Sequence, residues 1–240
     1  MTGGGPGRTD PAALLADTAR GLAEHLRFHQ ALGVRELPLR GEYLAGPEAM
    51  LRRLEASARG CTRCQLSRGR TTVVFGSGDA GARLVLIGEG PGEEEDRQGK
   101  PFVGRAGQLL TKMLESVGIS RDEVYICNIV KCRPPGNRNP EPDEIAACAP
   151  FLAGQLAAMR PDIIGALGTF AAQTLLRTKE PISRLRGQLH PYGHAVLIPT
   201  FHPAFLLRNP GPTYRRFAYE DLKLIRREYD RARGAPRASS

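Results

Sequence analysis

No apolar run in this sequence reaches the roughly 18 residues that a membrane-spanning helix requires. The first ten residues, MTGGGPGRTD, lack the apolar core of a secretory signal, so the expected compartment is the cytoplasm, with no membrane partner. No internal repeat is visible. Cysteine is scarce: Cys61, Cys64, Cys127, Cys132 and Cys148 make up the full set of five. An odd count in a chain expected to stay reduced argues against a disulfide framework and favours metal or cluster ligation. Acids are the minority charge, 25 Asp and Glu against 34 Lys and Arg, for a net charge of +9. That balance points to a polyanionic partner, nucleic acid first.

The chain has 240 residues and 41% hydrophobic content, enough for one full domain plus tails. Residues 1–45 read as an N-terminal extension, partly disordered, with one amphipathic helix at 11–31 and a Gly- and Pro-punctuated linker after it. Residues 46–233 read as the domain, and 234–240 as a disordered tail. Within the domain, four short apolar runs stand out: RLVLIG (83–88), VYICNIV (124–130), DIIGALG (162–168) and AVLIPT (195–200). Helical stretches are expected at 47–59, 104–117, 141–159, 169–177 and 214–232. Nearly all-apolar strands that alternate with helices imply an α/β fold with a parallel sheet covered on both faces. Functional loops in such sheets lie beyond the carboxyl ends of the strands. Unusual residues cluster at those ends: GEGPGEEED after the first run, Asn128 and KCRPPGNRNP at the second, and FHPAFLLRNP after the fourth.

The stretch Gly88 to Asp96, GEGPGEEED, allows three readings. A phosphate loop is disfavoured, because no Lys-Ser/Thr follows, Pro91 removes a donor and the acids would repel phosphate. Clustered carboxylates could hold Mg²⁺. Four consecutive acids at a helix start cannot all face one ion, however, and the helix dipole favours them there without any ligand. Glu93 to Asp96 therefore read as a solvated first turn. The earlier GSGDAG (76–81) precedes a strand instead of following one, so it reads as a turn and not a dinucleotide fingerprint.

Cys61 and Cys64 form a two-thiolate clamp with Cys132 and Cys148 as candidate distant partners. A zinc ribbon would add a second close cysteine pair or a histidine pair, and neither is present. Four widely spaced thiolates also suit a [4Fe–4S] cluster, and ordinary reduced cysteines remain the plain alternative. Cys127 lies in an apolar run and reads as a small core residue.

Three long motifs, GEGPGEEEDRQGKPFVGRAGQLL (88–110), NIVKCRPPGNRNPEPDEIAAC (128–148) and HPAFLLRNP (202–210), together resemble the family 4 uracil-DNA glycosylases. The resemblance runs from about Cys61 to about Tyr229. It implies a three-layer α/β/α sandwich with a central four-stranded parallel sheet, and a [4Fe–4S] cluster on Cys61, Cys64, Cys132 and Cys148. It also implies a monomer that removes uracil from single- or double-stranded DNA and leaves an abasic site. Phe102 would stack on the flipped base. Asn128 would pair with uracil O4 and N3–H, and so reject cytosine. His202 would donate to O2, where negative charge develops. Glu89 would position the attacking water or hold its own loop, with backbone contacts from Gly90 and Gly92. Leu206 would be the DNA wedge, and Arg208 a backbone contact together with Arg133, Arg138, Arg215 and Arg216. Two departures from the family pattern stand out: Gly90 replaces an Asp found in related branches, and Ala204 replaces a usual Ser. Competing readings are a non-catalytic iron–sulfur DNA-binding protein and a Mg²⁺-dependent nucleotide hydrolase built on the acid run.

Overall fold

The computed structural model describes residues 46–235. The expected 11–31 helix and most of the linker lie outside the described residues, as does the tail from 236. The sheet comprises β1 (Ser77–Gly78), β2 (Leu84–Gly88), β3 (Tyr125–Asn128), β4 (Ile163–Leu167), β5 (His190–Tyr192) and β6 (Ala195–Thr200). Their spatial order is β1-β3-β2-β4-β6-β5. The central β3, β2, β4 and β6 are parallel, whereas β1 and β5 pair antiparallel at the edges. The central four-stranded parallel sheet is the one expected, and two short antiparallel edge strands extend it to six. The two additions are two and three residues long, too short to show a period in the sequence. One of them sits in the glycine stretch read as a plain turn.

Eight helices surround the sheet among the described residues: α1 (Pro47–Arg59), α2 (Glu93–Gln98), α3 (Arg105–Glu115), α4 (Pro142–Met159), α5 (Thr169–Leu176), α6 (Ile182–Leu185), α7 (Pro203–Arg208) and α8 (Pro212–Gly234). Pro stands in the first turn of α1, α4, α7 and α8, where its missing N–H costs nothing. Side chains alternate across each strand, and this builds two cores. Val85, Ile87, Cys127, Ile164 and Leu197 meet residues of α1, α4 and α5. Leu84, Leu86, Ile126, Ile163 and Ile198 meet residues of α3 and α8 on the other face. The result is the three-layer α/β/α arrangement expected from the sequence. No described helix is long and apolar enough to cross a membrane.

Two features aim the chain at one end of the sheet. β3 and β4 lie on opposite sides of β2, so the chain reverses its direction of travel across the sheet there and leaves a crevice beyond the strand ends. In register, Gly88 lies beside Asn128. The pairing continues past the strands, with Ile129 N–H donating to Gly88 O at 2.9 Å and Val130 N–H to Glu89 O at 3.2 Å.

At the end of β6, a buried ionic knot fixes the approach to His202. Thr200 Oγ1 donates to Asp221 Oδ2 at 2.7 Å, and Arg186 Nε donates to the same oxygen at 2.9 Å. The Arg186 guanidinium also bonds Phe217 O at 2.7 Å and lies over the rings of Phe201 and Phe217. Removing Asp221 would strand Arg186 in a largely buried site. Asp221→Ala is therefore expected to cost about 3–5 kcal/mol of folding stability. Urea unfolding checks this, and a loss below about 1 kcal/mol, the scale of an exposed pair, would contradict it.

Candidate active site

A cleft of about 530 Å³ opens at the carboxyl ends of β2, β3, β4 and β6. It collects Glu89, Phe102, Asn128, His202 and Arg208, with Gly90 and Gly92 on its wall. These residues come from three loops far apart in sequence, and the crevice brings them together.

Asn128 ends β3 and is 1% exposed. Its Oδ1 has no hydrogen-bond partner among the described residues. An unpaired buried acceptor costs about 1–3 kcal/mol, so the site holds an unmet demand for a donor. Gly88 is what leaves room for it. A Cβ at Gly88 would stand 2.5 Å from Asn128 Oδ1 and 2.6 Å from Phe102 Cζ.

Phe102 is buried and adopts φ 52°, a left-handed conformation that a bulky residue avoids. The surrounding loop holds it there. Glu95 Oε1 accepts from Val103 N–H at 2.9 Å and from Gly104 N–H at 2.8 Å. Arg121 Nη2 donates to Pro101 O at 2.8 Å. Strain of about 1–3 kcal/mol held by such a frame is a common mark of a functional position. The Phe102 and His202 ring centroids are 5.5 Å apart with a 36° tilt.

His202 caps α7. Its Nδ1 accepts from Ala204 N–H at 3.1 Å, which places the ring proton on Nε2. Burial, helped by the Arg208 charge, pulls its pKa down to about 4. The residue is therefore a neutral donor at physiological pH. Gly168, at φ +92°, lets the start of α5 pack against this histidine, since a Cβ there would lie 2.8 Å from His202 Cβ. Burial raises the Glu89 pKa, and the Arg208 charge opposes that rise. Arg208 is exposed at the rim, and its side chain makes no hydrogen bond or ion pair among the described residues.

Three expectations need correction. Leu206 is 2% exposed and sits in the core, while Leu207 is 37% exposed. The segment is helical, so Leu206 shares the inward face with Pro203 and Leu207 turns out. The acid run is not a solvated turn throughout. Asp96 is buried and accepts from the N–H groups of Thr71 and Thr72 at 3.0 and 3.2 Å, and Glu95 holds the Phe102 loop. Of the four, Glu93 alone is exposed, and Glu94 is half-buried. Arg138 is engaged by both oxygens of Glu144 at 2.9 and 2.7 Å, which leaves little of it for a phosphate. Glu95, Lys131 and Arg186 were missed in the sequence because charged residues carry no period that reveals burial.

Cys61, Cys64, Cys132 and Cys148 line a separate cavity with Arg70 and Lys131. Cys127 is not part of that lining and is fully buried in the sheet. Arg70 donates to Cys132 Sγ at 3.3 Å and to Cys61 O at 2.7 Å. Lys131 N–H donates to Cys148 Sγ at 3.3 Å. All five cysteines are free. No group of three His, Cys, Asp or Glu among the described residues is placed to hold a single metal ion. Donors are thus already aimed at two of the four sulfurs.

The fold and site define an α/β protein whose strand-end cleft sets an aromatic ring beside a buried, unpaired amide oxygen. Residues 75–223 match the model of the uracil DNA glycosylase superfamily. A type-4 uracil-DNA glycosylase of Thermotoga maritima is 48% identical over 178 residues, covering 73% of this chain and 93% of the relative. One of Saccharolobus solfataricus is 44% identical over 177 residues, covering 70% and 81%. A type-5 enzyme of Pyrobaculum aerophilum is 36% identical over 151 residues, covering 56% and 66%. The chain belongs to the uracil DNA glycosylase superfamily and, within it, to the type-4 enzymes.

The histidine gives a pH test. A folded-state pKa near 4, below the free value of 6.5, means that the unfolded chain binds the proton more readily. Stability from this residue is complete above 6.5 and is lost as pH falls toward 4. Urea unfolding across that window should show a shallower pH slope in His202→Ala than in the wild type. Equal slopes would contradict the buried neutral ring.

Proposed function

We propose that this chain excises uracil from single- or double-stranded DNA in base excision repair, and leaves an abasic site. The observation that carries the reading is the unpaired, buried Oδ1 of Asn128 beside Phe102 and His202. Uracil N3–H supplies the missing donor, and the amide N–H of Asn128 supplies a donor to O4. Cytosine offers an acceptor at N3 and donors at C4, so it leaves buried groups unpaired. The base reaches the cleft by flipping out of the stack.

Phe102 stacks on the flipped ring. The bond from N1 to C1′ breaks with its electron pair on the base. His202 Nε2–H donates to O2, where that charge collects, and a neutral donor in a dry site serves this without first losing a proton. Glu89 orients a water whose oxygen bonds to C1′ of the cationic sugar, and the proton this water releases passes through the Glu89 carboxylate to neutralise the uracil anion. Arg208 and the exposed Arg215 and Arg216 meet phosphates, so binding weakens as salt rises. Leu207, not Leu206, fills the space the base vacates. The protein acts as a monomer.

The four-cysteine cavity suits a [4Fe–4S] cluster, and we assign Cys61, Cys64, Cys132 and Cys148 as its ligands. Held there, the cluster would tie the segment before β1 to the loop and helix after β3, and breaking a glycosidic bond asks no redox step of it. Purified protein is expected to be brown with about four irons per chain. Stoichiometric zinc and no visible absorbance would overturn the assignment.

The Mg²⁺ hydrolase reading fits less well, since Glu95 and Asp96 are spent on backbone N–H groups. A pure DNA binder would not need a buried unpaired amide. Incubation with a uracil-containing oligonucleotide in EDTA, followed by alkaline cleavage, should cut at uracil. No cleavage, or cleavage only with Mg²⁺, would sink the reading. Asn128→Ala and His202→Ala are each expected to slow excision about 10²–10³-fold with the fold retained by circular dichroism.

A further inference from the structure

Lys131 is 1% exposed, unusual for a residue with a long polar side chain. Its ammonium donates to Asn128 O at 2.7 Å and to Gln155 Oε1 at 2.6 Å, and it sits 5.9 Å from the Phe75 ring centroid. It forms no ion pair with a carboxylate among the described residues. Gln155 is itself fixed, donating to Phe75 O at 2.9 Å and to Tyr125 Oη at 3.2 Å. Lys131 precedes Cys132, and its own N–H bonds Cys148 Sγ at 3.3 Å. One residue therefore touches a cysteine ligand with its backbone and the base-reading strand end with its side chain.

We propose that Lys131 is a positioning residue that ties the four-cysteine site to Asn128 and holds the Asn128 amide in line with the flipped base. The inference rests on the reading of Asn128 given above. Asn128 is the last residue of β3, and the Lys131 ammonium bonds its carbonyl. Without it, the strand end has freedom to shift, and a displacement near 1 Å at a reacting group can cost about 10²-fold in rate. The stacking face of Phe102 and the His202 donor would be untouched.

The test is a double-mutant cycle in full-length protein on a uracil oligonucleotide, with iron per chain measured for every variant. Lys131→Met keeps length and removes the charge. It is expected to retain iron near the wild-type level and to lower kcat at least about tenfold, with a KM change below about threefold. In an Asn128→Ala background the same change should cost less than about twofold, because its route of action is already gone. Lys131→Arg should recover part of the rate. The proposal is overturned if Lys131→Met leaves kcat unchanged, if its cost is equal in both backgrounds, or if iron loss accounts for its whole effect. Should Lys131→Met not fold, Gln155→Leu enters the same cycle with the same criteria. A wild-type protein or an Asn128→Ala variant that behaves against the glycosylase reading identifies failure of that reading instead.

Discussion

The site depends on one unmet hydrogen bond. Asn128 Oδ1 is buried with no partner among the described residues, and the register that sets Gly88 beside it keeps the space in front of it open. The folded protein bears the cost of that orphaned acceptor in advance. In the proposed reading, a ring with the right donor relieves it and a ring with an acceptor there does not, so discrimination would follow from desolvation as much as from attraction.

The rest of the structure holds that geometry. Gly88 provides clearance, Glu95 and Arg121 keep Phe102 in a backbone conformation it would otherwise avoid, and the Arg186–Asp221 knot fixes the chain leading to His202. The histidine's Nδ1 is occupied by a backbone N–H, so its donor can point only from Nε2. Two strand ends, the Phe102 loop and one helix cap line the cleft. The acid run that looks most conspicuous in the sequence serves this scaffold: two of its four carboxylates are consumed by backbone donors.

Much of this was legible from residues alone. The four central strands are continuous apolar runs, and the motif-bearing segments fall at their carboxyl ends, so Asn128, Glu89 and His202 could be placed together before any coordinates. Edge strands of two and three residues carry no period and were missed. Leu206 and Leu207 were indistinguishable as neighbours in an apolar loop motif. Only the helical turn of α7 decides which faces the core. Lys131 and Asp221 were invisible for a different reason: a charged residue in a sequence reads as surface, and only its partners reveal that it is buried. Resemblance reached the family and the four cysteines, but not the contacts that join the cysteine site to the base-reading strand.

The most direct measurement is the ratio of uracil to cytosine excision in Asn128→Asp at neutral pH. A carboxylate of the same shape keeps an acceptor for N3–H but replaces the donor to O4 with a second acceptor. The account predicts that excision of uracil falls and that the preference for uracil over cytosine shrinks by about 10²-fold or more. A variant with wild-type rate and wild-type preference would show that Asn128 does not read the base.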